Sequence, residues 1–318
     1  MASRTKKARP AKNGRAVQAP TRQQPGSSRP WLSALAGAGA VAVLALLVGV
    51  AVTRSNGGSG APTAPRVAPG LPDTPDYHSL VVSPTNAKAL LLGTHYGLYR
   101  STDGGRTWAS DALGGQDAMN LVRPSGQTLW VAGHMVLAKS VDGGKTWRDV
   151  RPAGLPGLDV HGFASDPRNS RTLYAAIAGT GLYRSTDGGN SFSVVSTDVG
   201  PAVMALVVMR DGRILAGDMQ QGLMISRDGG RTWARNLRAQ LMGLALNPTD
   251  PKRILASGPG VSLSTNGGGN WKRVLDIPDG GGGPVAWSQS NPKIAYVVGF
   301  DRTLYRSSDS GLTWRAVG

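Results

Sequence analysis

One eight-residue phrase occurs six times and limits what this chain can fold into. It first reads Ser101-Thr-Asp103-Gly-Gly-Arg-Thr107-Trp108. It returns with Asp142 and Trp147, Asp187 and Phe192, Asp228 and Trp233, Asn266 and Trp271, and Asp309 and Trp314 in its third and eighth places. Successive third places are 39, 45, 41, 38 and 43 residues apart. Repeats of about forty residues with several short apolar runs each are the mark of a β-propeller, because one such unit cannot bury its faces alone.

Each unit carries four strand-like runs, A to D. In the fifth they fall at 244–246, 253–257, 261–264 and 271–275, with the Gly-rich phrase between the third and fourth. The expected fold is therefore all-β, a six-bladed propeller over 75–318. The ring should close without a strand exchanged between the ends, because the first unit opens on strand A and the last ends on strand D. Within the phrase, Asp accepts bonds from backbone N–H groups ahead of it, and Gly allows positive φ. The aromatic residue opens strand D and buries a large face between blades. Asn266, Asn270, Phe192 and Ser310 depart from the pattern, and looser turns are expected there.

These phrases resemble the BNR or Asp-box repeat, S-x-D-x-G-x-T-W. The resemblance covers the propeller region and implies its fold. It leaves function open, because Asp-box propellers include sialidases, other glycoside hydrolases, sorting receptors and a photosystem assembly factor. Segments of the first three units also look like a subgroup of exported BNR propellers loosely described as glycosyl hydrolases.

Upstream, Trp31 to Val52 is a run of 22 residues without a charge. At about 1.5 Å per residue it is long enough for a helix across a bilayer core, and it is apolar all round. Eight Lys and Arg and no acid stand in residues 1–30. That asymmetry puts the N-terminus in the cytoplasm and the propeller on the far side, at the cell membrane as a single-pass protein. The run exceeds the apolar core of a cleaved signal peptide, so an uncleaved anchor is expected. Residues 53–74 are rich in Gly, Ser and Pro and read as a spacer. The basic tail has no aromatic side chain to stack on bases, so no nucleic-acid partner is expected.

Composition narrows the chemistry. There is no Cys and no Glu; all 19 acids are Asp. The sialidase resemblance would imply a Tyr nucleophile activated by Glu, an Asp acid/base and an Arg clamp, so a sialidase is not expected. A glycoside hydrolase using paired Asp is the alternative enzyme, and Asp111, Asp117, Asp159, Asp218 and Asp301 stand outside the phrases as candidates.

The four His and several Met follow a pattern of their own. Chain direction places the D–A and B–C connections on the face opposite the Asp boxes. The six strand A starts align as His78, Met119, His161, Met204, Met242 and Val285. His95 and His134 end strand B of the first two blades. Imidazole with thioether suits a soft metal, copper in particular. The expected metal set is His78, His95, His134 and His161 first, then Met119, Met204 and Met242. The leading functional expectation is a non-catalytic binding or assembly scaffold that meets a protein, glycan or metal ligand on this face.

Overall fold

The computed structural model describes residues 67–318. The anchor expected over 31–52, the tail 1–30 and most of the linker 53–74 lie outside the described residues. Among the described residues no helix is long and apolar enough to cross a membrane.

Six antiparallel sheets follow one another along the chain, each built from consecutive strands. Blade 1 contains β2 (Tyr77–Val82), β3 (Leu90–Thr94), β4 (Gly97–Ser101) and β5 (Thr107–Ala112). A further strand, β1 (Val67–Pro69), lies on its outer edge, paired with β5. The first blade therefore has five strands, and pairing begins inside the stretch that reads as linker. The other five blades have four strands each. Their innermost strands are Asn120–Ser125, Val160–Asp166, Val203–Val208, Gly243–Leu246 and Gly282–Trp287. The fifth blade continues with Ile254–Ser257, Gly260–Ser264 and Lys272–Asp276, each bounded within one residue of the expected run.

The hydrophobic core is divided into six clusters, one in each seam between neighbouring blades. Second strands such as Leu90–Thr94 and Ile214–Asp218 are buried at every position. A strand covered on both faces has no polar side to alternate with, which is why these runs are continuously apolar. The ring closes by packing. In the seam between blades 6 and 1, Tyr77, Leu92 and Trp108 meet Tyr296, Val298 and Leu304, and the Tyr296 hydroxyl donates to the Ala87 carbonyl at 2.9 Å. Among the described residues no strand is exchanged between the ends, as the sequence pattern requires.

Candidate functional site

The six boxes are built alike. In the second, Asp142 Oδ1 accepts from Lys145 N at 3.0 Å, Thr146 N at 2.9 Å and the Ser140 hydroxyl at 2.8 Å, while Oδ2 accepts from the Thr146 hydroxyl. The hydroxyl and amide of Thr146 hold the Asp142 carboxyl well below the usual range. Asp187 and Asp228 are held low in the same manner, chiefly by Ser191 and Thr232. At Asp103 and Asp309 burial pushes upward, but bonds from Thr107 and Thr313 outweigh it and leave both carboxyls at about 2. Every box indole donates to a box Gly carbonyl, as Trp147 Nε1 does to Gly144 at 3.1 Å. Phe192 keeps the buried place without that bond.

The departures cost little architecture. Ser310 sits at φ 63° where the other boxes have Gly, yet Thr313 N still reaches Asp309 Oδ1 at 2.9 Å. Asn266 receives Asn270 N at 2.8 Å and the Ser264 hydroxyl at 3.0 Å, but Asn270 brings no hydroxyl for the second oxygen. The fifth box has the fewest bonds, as its sequence implies.

The opposite face is stitched across blades. Ala118 N donates to Thr94 O at 3.0 Å, and the Ser79 hydroxyl to Ala118 O at 2.9 Å, tying blade 2 to blade 1. Met135 N donates to Leu158 O at 2.9 Å, and His134 and Asp159 form an antiparallel bridge, tying blade 2 to blade 3. Asn120 Nδ2 reaches the His161 carbonyl at 3.1 Å, and Asn120 Oδ1 accepts from Phe163 N at 3.2 Å. Met135 stands at φ 60°, which turns the chain sharply just after His134.

These stitches bring all four His together with three carboxylates. His95 sets Nε2 at 3.2 Å from Asp76 Oδ2 and Nδ1 at 3.0 Å from Asp117 Oδ2. The same Asp117 oxygen lies 2.6 Å from His134 Nδ1. His134 Nε2 lies 3.0 Å from His161 Nε2 and 3.2 Å from Asp159 Oδ1, and His161 Nε2 lies 3.0 Å from that same oxygen. The result is a chain of alternating imidazole and carboxylate across blades 1 to 3. His78 is its deepest member. Its Nε2 and Asp117 Oδ1 are buried without hydrogen-bond partners, 3.5 Å apart. Burial lowers the His78 pKa to about 4 against the upward pull of Asp117, so at neutral pH this contact is not an ion pair. Two groups of three have donors within 4.8 Å of one another: Asp76, His78 and His95, and His134, Asp159 and His161.

The Met expected beside them go elsewhere. Met119, Met204 and Met242 line the central channel together with His78 and Val285. Blade 3 gives the channel Phe163, while His161 turns to Asp159 and His134. The ring of strand starts is thus real: its Met line the channel, His161 joins the polar cluster above three blades, and His78 belongs to both. Sequence reasoning does not pair the carboxylates of that cluster with His: Asp117 and Asp159 stand only as candidates for a paired-Asp hydrolase, and Asp76 falls outside the candidate set. Their signal is present all the same. Two residues before the aligned strand starts stand Asp76, Asp117 and Asp159 in blades 1 to 3, and Ala202, Gln240 and Gly283 in blades 4 to 6.

The remaining acid candidates have structural partners. Asp111 holds Arg100 through both oxygens at 2.9 and 2.8 Å. Asp218 is fully buried and accepts from the N–H groups of Ala202, Gln220 and Gln221. Asp301 accepts from Thr303 N and the Tyr305 hydroxyl.

A family model described as photosynthesis system II assembly factor YCF48 matches residues 79–317. The chain belongs to this YCF48 family. Among solved structures, a YCF48 bound to a D1 peptide aligns at TM-score 0.52 and 18% identity, over 79% of this chain and 84% of that one. YCF48 from Cyanidioschyzon merolae aligns at 0.50 and 19%, over 80% and 88%. The GH74 xyloglucanase from Xanthomonas campestris aligns at 0.56 and 21%, over 80% of this chain and 47% of the enzyme. This YCF48-family chain spans less than half the length of the GH74 structures it matches. At identities this low the likeness shows the shared propeller fold alone.

Proposed function

We propose that this protein is a non-catalytic binding or assembly scaffold, exported and held at the membrane, that engages a protein partner with the face opposite its Asp boxes. The carrying observation is how the box carboxylates and the five candidate carboxylates are used. Five are spent inside box turns, Asp111, Asp218 and Asp301 are spent on Arg100, backbone and Tyr305, and Asp117 and Asp159 are each bonded to His. A glycosidase needs one carboxyl free to protonate the leaving group and another free to attack or to activate water. What converges instead is a fixed, polar, partly exposed cluster suited to holding a ligand. Family membership supports the same reading, since one solved YCF48 holds a peptide.

Incubating the full chain with chromogenic glycosides and xyloglucan tests the choice. No turnover is expected. Turnover abolished by Asp117→Asn or Asp159→Asn would replace the scaffold with the glycoside hydrolase reading. The anchored placement rests on the uncharged run 31–52 and the basic residues before it. A reporter fused after Gly318 should report the exported side; a mature N-terminus near Val52 in the medium would mean a cleaved signal peptide. In its copper form, the reading would have a subset of the His and Met side chains hold one ion, His78, His95, His134 and His161 first and then Met119.

A further inference from the structure

We infer that His134, Asp159 and His161 form a binding site for a single divalent, borderline transition-metal ion such as zinc, with Asp117 orienting His134 from behind. The three facing atoms, His134 Nε2, His161 Nε2 and Asp159 Oδ1, form a nearly equilateral triangle with sides of 3.0, 3.0 and 3.2 Å. An ion held by bonds of about 2.0–2.2 Å sets neighbouring donors about 3.3–3.6 Å apart in a tetrahedron and about 2.8–3.1 Å apart at the right angles of an octahedron, and the observed sides fall within the range these two span. The triangle therefore already has the spacing of one face of a coordination polyhedron.

Proton accounting favours a cation there. Asp117 Oδ2 lies 2.6 Å from His134 Nδ1. A carboxylate only accepts, so Nδ1 carries the hydrogen and the neutral ring turns its Nε2 lone pair toward Asp159 and His161. His134 Nε2 and Asp159 Oδ1 are then both acceptors, and the one N–H that His161 Nε2 can turn toward them has two acceptors to serve. An ion would satisfy all three atoms and leave His161 with its hydrogen on Nδ1. The carboxylate–imidazole–metal relay through Asp117 is the usual means of fixing a ligand's tautomer.

Access and rigidity agree with this. His134 and Asp159 side chains are 45% and 50% exposed, so a fourth position is open to water or to a partner's side chain. The backbone bridge between His134 and Asp159, the Met135 N–H bond to Leu158 and the Asn120 bond to the His161 carbonyl fix the three donors in advance of an ion. The donor set is nitrogen and oxygen, whereas the thioethers of Met119, Met204 and Met242 line the channel. That favours a borderline divalent ion over copper(I). The site lies on the proposed scaffold face but stands on its own geometry, and its failure would leave the protein-partner reading intact.

Equilibrium dialysis of the metal-free full chain in detergent against zinc decides it, with copper(I) under reducing conditions as a second arm. Saturable uptake of one zinc is expected. His134→Ala/His161→Ala should abolish it, and Asp117→Asn should weaken it about 10–100-fold, while Met204→Leu should leave it unchanged. The metal-free melting midpoint of each variant separates lost ligands from lost fold. No saturable zinc uptake by the wild type, or equal uptake by the folded double variant, would overturn the site. So would copper(I) binding that needs the three Met and tolerates Asp159→Asn.

Discussion

The two faces of this ring use the same residue type in opposite ways. On the box face, a carboxylate is surrounded by donors from its own turn, so that Asp142 receives two amides and two hydroxyls within four residues of itself. On the other face, Asp117 receives side chains from two blades, and a buried oxygen of Asp117 and a buried nitrogen of His78 have no partner. Buried polar groups in folded proteins are nearly always satisfied. A face whose carboxylates are satisfied within their own turns holds the fold together, and a face that gathers donors from several blades is where a ligand would act.

Substitutions should separate the faces, beginning with the largest loss. Trp108 is almost fully buried in the closing seam and donates to Gly105 O at 3.0 Å. Trp108→Ala should lower unfolding free energy by about 3–5 kcal/mol in a denaturant titration. The half-buried Trp147 should cost less when truncated in the same way. Next, Asp228→Ala removes the acceptor for Thr232 and Arg231 amides and two hydroxyls. It should lower the melting midpoint by less than the Trp108 truncation does, with zinc affinity unchanged; a change in affinity would mean that the faces are coupled.

Acid should act on the boxes only below about pH 4, after the window between about 6.5 and 4 in which the buried His78 favours the unfolded chain. Their carboxyls are held below the ordinary value of 3.8, with Asp103 and Asp309 at about 2. A lowered folded pKa means that the unfolded chain takes up protons first. The stabilisation is complete above about pH 4 and is lost as pH falls toward about 2. Asp103→Asn and Asp309→Asn together should flatten that part of the stability–pH curve, as Asn266 already does in the fifth box. An unchanged slope would show that the low carboxyls do not set acid stability. The smallest effect is expected from His134→Ala/His161→Ala without metal, less than about 1 kcal/mol, because both side chains are partly exposed.

The same contrast explains how much of the molecule is legible in its sequence. A box is a local device, since donors and acceptor sit within eight residues, and Ser101 to Trp108 carries its whole geometry in its spacing. Blade count, the placement of the boxes in the turns before the outer strands, and the absence of strand exchange all follow from it. The gathering of the four His on one face also follows, because strand direction alone decides that. What spacing does not carry is which neighbours meet across a seam. The approach of Asp117 to His95 and His134 depends on backbone bonds between blades, such as Ala118 N to Thr94 O. Asp is also so common in turns that Asp76 carries no signal by itself. Nor does a strand-start register say where a side chain turns, so spacing alone does not separate Met119 and Met204 from His161. The strand Val67–Pro69, which pairs with Thr107–Ala109, is hidden in Gly- and Pro-rich sequence.

Thermal unfolding of three proteins, each with and without saturating zinc, tests the division of labour most directly: wild type, Asp228→Ala and His134→Ala/His161→Ala. At about 100 times the dissociation constant a bound ion stabilises the fold by about 2.7 kcal/mol. The account predicts that Asp228→Ala melts lower but keeps the full zinc-dependent rise, while the double His variant melts near wild type and gains nothing from zinc. A double His variant that retains the rise, or an Asp228→Ala variant that loses it, would contradict the assignment of fold to one face and ligand to the other.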